Sequence, residues 1–303
     1  MNSTEIHGGC GALEDTSLSM SVPQLQRPVA LDARPTTSRM RVPRELEIAL
    51  NAPVGPQRLA DDTIVIDGGG WYRTLTPSSS WPGSNEVLFS NLSERNPDGQ
   101  IDDLVCEYHS LGLPVTWCVY PWTRPGDLGA RLRARGATQS ALLAFLCGTG
   151  HPLKVVDGVD IEHIDPDSTA AFETYMNTMS SGHDLPASEE AFRRRRYHQL
   201  STGPEPCMNL FLARHNGVVA GCQAMVIKED SGHLTGTYVM PAFRAHGVFQ
   251  SLIAASLRAL RDMDIPIASG HSNEQSAFWV KRFGLKTIFS YDIYQLDPPP
   301  VAG

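Results

Sequence analysis

No two cysteines in this sequence stand as C-x-x-C. The six present, Cys10, Cys106, Cys118, Cys147, Cys207 and Cys222, are scattered, and most fall in apolar stretches. Thiols placed this way read as buried and free in a reducing compartment. That excludes a disulfide-stapled scaffold and gives no reason to expect a metal. No stretch approaches the roughly 18 consecutive apolar residues of a membrane span, so no membrane association is expected. The N-terminus has no basic segment leading into an apolar core, so no secretory signal is expected and a cytoplasmic location is. Positive charge is in deficit: 25 Lys and Arg face 33 Asp and Glu, a formal net charge of −8. Such a chain is not built around non-specific nucleic-acid binding, although one basic run, Arg193, Arg194, Arg195 and Arg196, stands out. What the chain does hold is 41% hydrophobic residues over 303 positions, enough for two folded units.

Residues 1–43 mix Ser, Thr, Pro and Gly without a sustained period and read as a disordered tail. Residues 44–150 read as a first unit. A β-branched run at 63–66 meets Asp67 and three glycines, and 71–76 returns as a strand. After a loop at 77–84 comes a strand at 86–92, and Asp98-Gly99 reads as a break. Ile101, Leu104, Val105, Tyr108 and Leu111 then follow helical spacing up to Gly112. A buried strand at 114–120, a short helix at 127–135 and a strand at 140–147 close this unit.

The second unit, 151–297, opens with a strand at 158–164 and a helix begun by Asp165, Pro166, Asp167 and Ser168. A basic helix at 189–200 follows. Strands at 209–213, 218–227 and 233–240 form a meander, with Asn216-Gly217 as a strong hairpin signal. A helix to about residue 264, a strand at 265–269, a helix at 275–283 and a strand at 287–295 complete it, leaving a tail at 298–303.

Between the third meander strand and the next helix lies VMPAFRAHGVF, residues 239–249. A strand opening through a glycine-containing loop onto a helix N-terminus is a ready anion site, because amides point outward there and the helix dipole favours negative charge. The ligand is therefore expected to carry phosphate. The pattern V-x-P-x-x-R-x-x-G-x-F, here Val239, Pro241, Arg244, Gly247 and Phe249, resembles the acyl-CoA motif of the GNAT N-acyltransferases, with Phe249 where that family more often has a small residue. The order of elements over 151–297 is similar to the family's. The order over 44–150 resembles its back half but has no such loop, which implies a degenerate copy without its own cofactor. The resemblance thus implies an α/β fold of two GNAT-like domains in tandem, each a mixed, mainly antiparallel sheet flanked by helices. It implies acetyl-CoA or another acyl-CoA as co-substrate and an amine of a small molecule or peptide as acceptor.

Site residues follow from the same resemblance. Tyr238, Val239 and Met240 would give backbone contacts to the acyl-pantetheine where the central strands splay. Arg244, Ala245, His246, Gly247, Val248 and Phe249 would meet the pyrophosphate. Asn273 and Ser276 open a stretch similar to the family's N-x-x-A-x-x-x-Y-x-x-x-G-F; both are placed at the cofactor, and Asn273 also among the catalytic candidates. Several family members carry a carboxylate base six residues before the motif valine, a position held here by His233. His233 shares strand parity with Thr235, Thr237 and Val239, and a histidine can take a proton from an ammonium near neutral pH. Its alternative reading is an exposed turn residue after Ser231-Gly232. The tyrosine that often protonates the departing thiolate is Val280 here, leaving Ser276, Tyr291 and Tyr294 as possible substitutes. A thiol with a pKa near 8.5 leaves with little help.

Trp71, Trp81 and Trp122 could line an acceptor cleft, while Phe278 and Trp279 read as core or interface. Two other readings stay open. A charged tRNA could be the donor, which the arginine run and Val280 allow and the acidic balance opposes. The chain could also bind acyl-CoA without catalysis. Monomer and homodimer both fit, and no pattern names the amine.

Overall fold

Local signals account for most of the elements in the computed structural model, which describes residues 43–182, 185 and 187–300. Cys10, and all of the expected N-terminal tail except residue 43, lie outside them. Pro43 leads into α1 (Arg44–Asn51), whose Glu45 and Glu47 sit in the first turn, where the helix dipole favours acids. β1 (Ile64–Gly68) and β2 (Trp71–Leu75) form a hairpin, followed by β3 (Glu86–Phe89). Asp98-Gly99 is not a break. It lies in the first turn of α2 (Pro97–His109), because the Asn96 side chain accepts from the Gly99 amide and Pro97 is set for the first turn. β4 (Val115–Val119), α3 (Leu128–Ala134) and β5 (Thr138–Gly148) follow.

The C-terminal half runs β6 (Val159–His163), α4 (Thr169–Ser180), α5 (Ala187–Thr202), β7 (Met208–His215), β8 (Val218–Ile227) and β9 (Ser231–Val239). Asn216 and Gly217 make the tight turn between β7 and β8. Then come α6 (Val248–Asp262), β10 (Ile267–Asn273), α7 (Glu274–Arg282) and β11 (Lys286–Leu296). β10 runs to residue 273, past the expected end at 269. Pairing with β5, from Ile267↔Gly148 to Asn273↔Leu142, carries it through a segment of low strand propensity.

The eleven strands form one sheet in the order β1-β2-β3-β4-β11-β5-β10-β9-β8-β7-β6. Its pattern is nearly symmetric about the β11/β5 pair. β3 and β4 are parallel across α2, as β9 and β10 are across α6, and every other pairing is antiparallel. Each half's last strand is inserted beside the other half: β11 lies against β4, and β5 against β10. α6 covers one face with Leu252, Ile253, Leu257 and Leu260. α1, not foreseen as a helix, covers the central strands, with Ile48 and Ala49 in a cluster that includes Ala144, Phe289 and Tyr291.

Among the described residues the cysteines are free thiols; Cys118, Cys147 and Cys222 are buried, while Cys106 is exposed on α2, against expectation. Burial pushes the Cys147 and Cys222 thiols up to about 11 and about 12, which removes them as nucleophiles near neutral pH. No helix among the described residues is long and apolar enough to cross a membrane.

Candidate active site

β9 and β10 pair only from Ser231 to Leu234 on one side and Ile267 to Gly270 on the other. Beyond that point β9 slips in register against β8, between the partners Ala224↔Thr235 and Cys222↔Tyr238, and Gly236 takes φ +58°. The bulge turns β9 away while β10 stays with β5, so the two strands part. The parting opens a cleft of about 820 Å3. Thr237, Tyr238 and Val239 form one wall, and Ser276, Trp279 and Phe283, at helical spacing, form the other. The Tyr238 ring packs so closely on Gly182 that a Cβ there would come within 2.4 Å of it. Trp279 therefore lines the cleft, its ring 5.8 Å from Phe283, while Phe278 is exposed.

The far end of the cleft is the loop into α6. Ala245 and Gly247 both take left-handed backbone angles, φ +67° and +77°. For alanine this conformation costs on the order of 1–3 kcal/mol, the kind of strain found at ligand-binding loops. No side chain caps α6. The amides of Val248, Phe249 and Gln250 stand in the first turn, where a helix offers no acceptor, and these residues line the cleft with Arg244. Gly247 is needed for close approach as well as for its φ, since a Cβ there would meet Val156 at 2.6 Å.

A smaller cavity of about 240 Å3 shares Thr237, Phe249, Asn273 and Ser276 with the cleft and continues to His233, Gln223, His271 and Tyr291. His233 is 3% exposed and lies within β9, which overturns the reading of it as a turn residue. Its ring centre is 5.9 Å from that of His271. His271 Nε2 is 2.9 Å from the Ala49 carbonyl oxygen, and Nδ1 is 2.8 Å from the Tyr291 hydroxyl. A carbonyl only accepts, so Nε2 carries the proton and Nδ1 accepts from Tyr291. Sequence reasoning missed His271 because it ended β10 too early. Gln223 is fixed by donating to Ser256 Oγ at 2.6 Å and accepting from Thr237 Oγ1 at 3.1 Å.

Other expected site residues are placed differently. The Asn273 side chain caps α7, accepting from the Ser276 amide at 3.1 Å and the Ser276 hydroxyl at 2.9 Å. The Met240 amide donates to Ala220 at 2.9 Å, and the His246 ring lies 4.9 Å from His215; neither residue lines the cleft. Val280 is fully buried in the core. Tyr294 points elsewhere: its hydroxyl accepts from Arg133 at 3.1 Å, and burial pushes its phenol up. Trp71 packs on Trp117, Trp81 lies 4.8 Å beneath the Arg193 guanidinium, and Trp122 stacks on Tyr120, so none of the three lines the cleft or the smaller cavity.

The arginine run is largely engaged with protein acceptors. Arg193 pairs with the buried Glu189, which accepts from Ser79 Oγ at 2.7 Å. Arg194 pairs with Glu173 and Glu190, and Arg196 donates to the Pro56 carbonyl. Arg195 is the exposed member of the run.

Residues 170–285 match the model of the acetyltransferase (GNAT) family, a segment that carries most of the cleft. No curated protein matches the sequence. Among solved structures, a functionally unknown conserved protein from Staphylococcus epidermidis ATCC 12228 aligns with a TM-score of 0.64 at 12% identity, over 82% of this chain and 99% of that one. A GCN5-related N-acetyltransferase from Kribbella flavida aligns at 0.58 and 15%, over 83% and 95%. A tandem GNAT protein from the clavulanic acid biosynthesis pathway aligns at 0.51 and 17%, over 84% and 89%. At these identities the likeness is one of fold, and it spans both halves of the sheet.

Proposed function

We propose, from the match of residues 170–285 to the acetyltransferase (GNAT) family and the tandem GNAT-like fold, that the protein moves an acetyl or other acyl group from acyl-CoA to an amine of a small molecule or peptide. One observation carries the reading: the cleft at the uncapped N-terminus of α6 shares Thr237, Phe249, Asn273 and Ser276 with the smaller cavity that His233 lines. The α6 amides and Arg244 hold the pyrophosphate. The β9 edge at Tyr238 and Val239, left without a strand partner on the β10 side, holds the pantetheine amides. Bound there, acyl-CoA supplies an activated thioester. Phe249, Asn273 and Ser276 stand where cleft and cavity meet, and Asn273 acts by fixing the start of α7.

His233 takes the proton that the acceptor ammonium must lose before its nitrogen can attack. The polar fixtures around the cavity, Gln223 and Thr237, orient the acceptor. Residues 44–150 act as a degenerate unit that completes the sheet and closes the cavity through Leu142, Phe145 and Pro53; residues 151–297 carry the chemistry. Free thiols suit a reducing cytoplasm.

The test is release of thiol from acetyl-CoA in the presence of polyamine, amino-sugar and lysine-peptide acceptors. Amine-dependent release supports transfer. Tight acetyl-CoA binding without release on any amine would identify a binding module instead.

A further inference from the structure

We infer that Tyr291 and His271 form a proton relay that gives the departing thiol its proton, a step Val280 cannot perform; the inference rests on the acyl-transfer reading above. Three observations carry it. Tyr291 and His233 line the same small cavity, and Tyr291 is held there by Tyr120, stacked at 4.9 Å, and by Phe289 at 5.8 Å. The hydroxyl donates to His271 Nδ1, whose ring is locked from behind by the Ala49 carbonyl. That carbonyl lies in the last turn of α1, and the Lys228 ammonium is held at the same end by the Asn51 carbonyl and, beyond the helix, by that of Val54. A helix C-terminus favours cations, so an imidazolium formed at His271 is steadied there. His233 on β9 and Tyr291 on β11 are titratable groups that face His271, and its partner on β5 is Ala144.

Protons balance along this path. The acceptor ammonium first gives one proton to His233, which passes it to water. As the C–N bond forms, the nitrogen gives a second to the Tyr291 oxygen while the Tyr291 hydroxyl proton moves to His271 Nδ1. As the C–S bond breaks with its electron pair on sulfur, His271 returns its proton to Tyr291, and Tyr291 protonates the sulfur. Both side chains end unchanged. Tyr291 is the catalytic group, and His271 acts through it.

The experiment pairs a structural readout with a kinetic one. Long-range 1H–15N spectra of the labelled full chain should show His271 with its proton on Nε2, and Tyr291→Phe should shift the Nδ1 resonance. The same variant, and His271→Gln, should lower kcat for thiol release about 100-fold, leave the KM for acetyl-CoA unchanged and abolish the alkaline limb of the pH profile. A proton on Nδ1, or wild-type kcat in Tyr291→Phe, overturns the relay alone. A wild type that binds acetyl-CoA but releases no thiol on any amine overturns the transfer reading, and the relay with it. So does a wild type that binds no acetyl-CoA.

Discussion

α2 and α6 occupy matching places in the two halves of the sheet, each crossing between a parallel strand pair, yet their N-termini differ in what fills them. α2 is closed by its own residues. Asn96 takes the Gly99 amide, Asp98 sits in the first turn, and Arg131 of α3 and Arg135 just after it clamp Asp98. Arg135 also takes Asp102 at 2.6 Å. At α6 there is no cap and no acid in the first turn, and the facing side of α7 offers Ser276, Trp279 and Phe283 across an open cleft. Ion pairs this exposed add little stability each. Their effect at α2 is to occupy the gap. One half closes its helix end with its own residues, while the other leaves it uncapped at the cleft.

Removing a half should have the largest effect. Residues 151–300 alone lack β5 and leave β10 and β11 without their shared neighbour. Such a fragment is expected to show no cooperative thermal transition by circular dichroism, and a sharp melt would mean that the halves are independent. Next is Gly247→Val, which combines a left-handed φ with collision at Val156. The strain is about 1–2 kcal/mol before the clash is counted, enough to weaken acetyl-CoA binding by at least about tenfold. Calorimetry would check this, and unchanged affinity would remove the loop from the site.

Asn96→Ala, at the closed end, should cost about 1 kcal/mol of stability and leave acetyl-CoA affinity untouched. The smallest effect is in acid. The hydrogen bond from Arg135 holds the Asp102 carboxyl below its usual range. Because the folded-state value is depressed, this contribution is present above the unfolded value and is lost as pH falls through the folded one. Arg135→Gln should therefore flatten the fall in Tm below about pH 4. An unchanged slope would mean that the pair adds nothing.

Much of this arrangement was legible locally. Asn216-Gly217 marked the hairpin, the apolar stripe marked α6, and the run from Val239 to Phe249 marked the loop. Features set by distant partners were not. β10 reaches His271 because β5 pairs with it, and the exchange of β5 and β11 depends on register across the whole sheet. Arg193 and Arg196 meet Trp81 and Pro56, residues far away in the chain. α1 spans only eight residues, too few for periodicity to declare itself, yet its Ala49 carbonyl fixes the His271 ring. Asn96 was a readable cap, with Pro97 behind it, that was overlooked beside the glycine that follows.

The fold has one open helix end, at α6, and one closed one, at α2. Calorimetric titration of the whole chain with acetyl-CoA, repeated with desulfo-CoA, tests this contrast most directly. The expected result is a single site per chain that binds both. Two sites would mean that α2 is not closed, and no binding of either would mean that the uncapped end of α6 serves some other purpose.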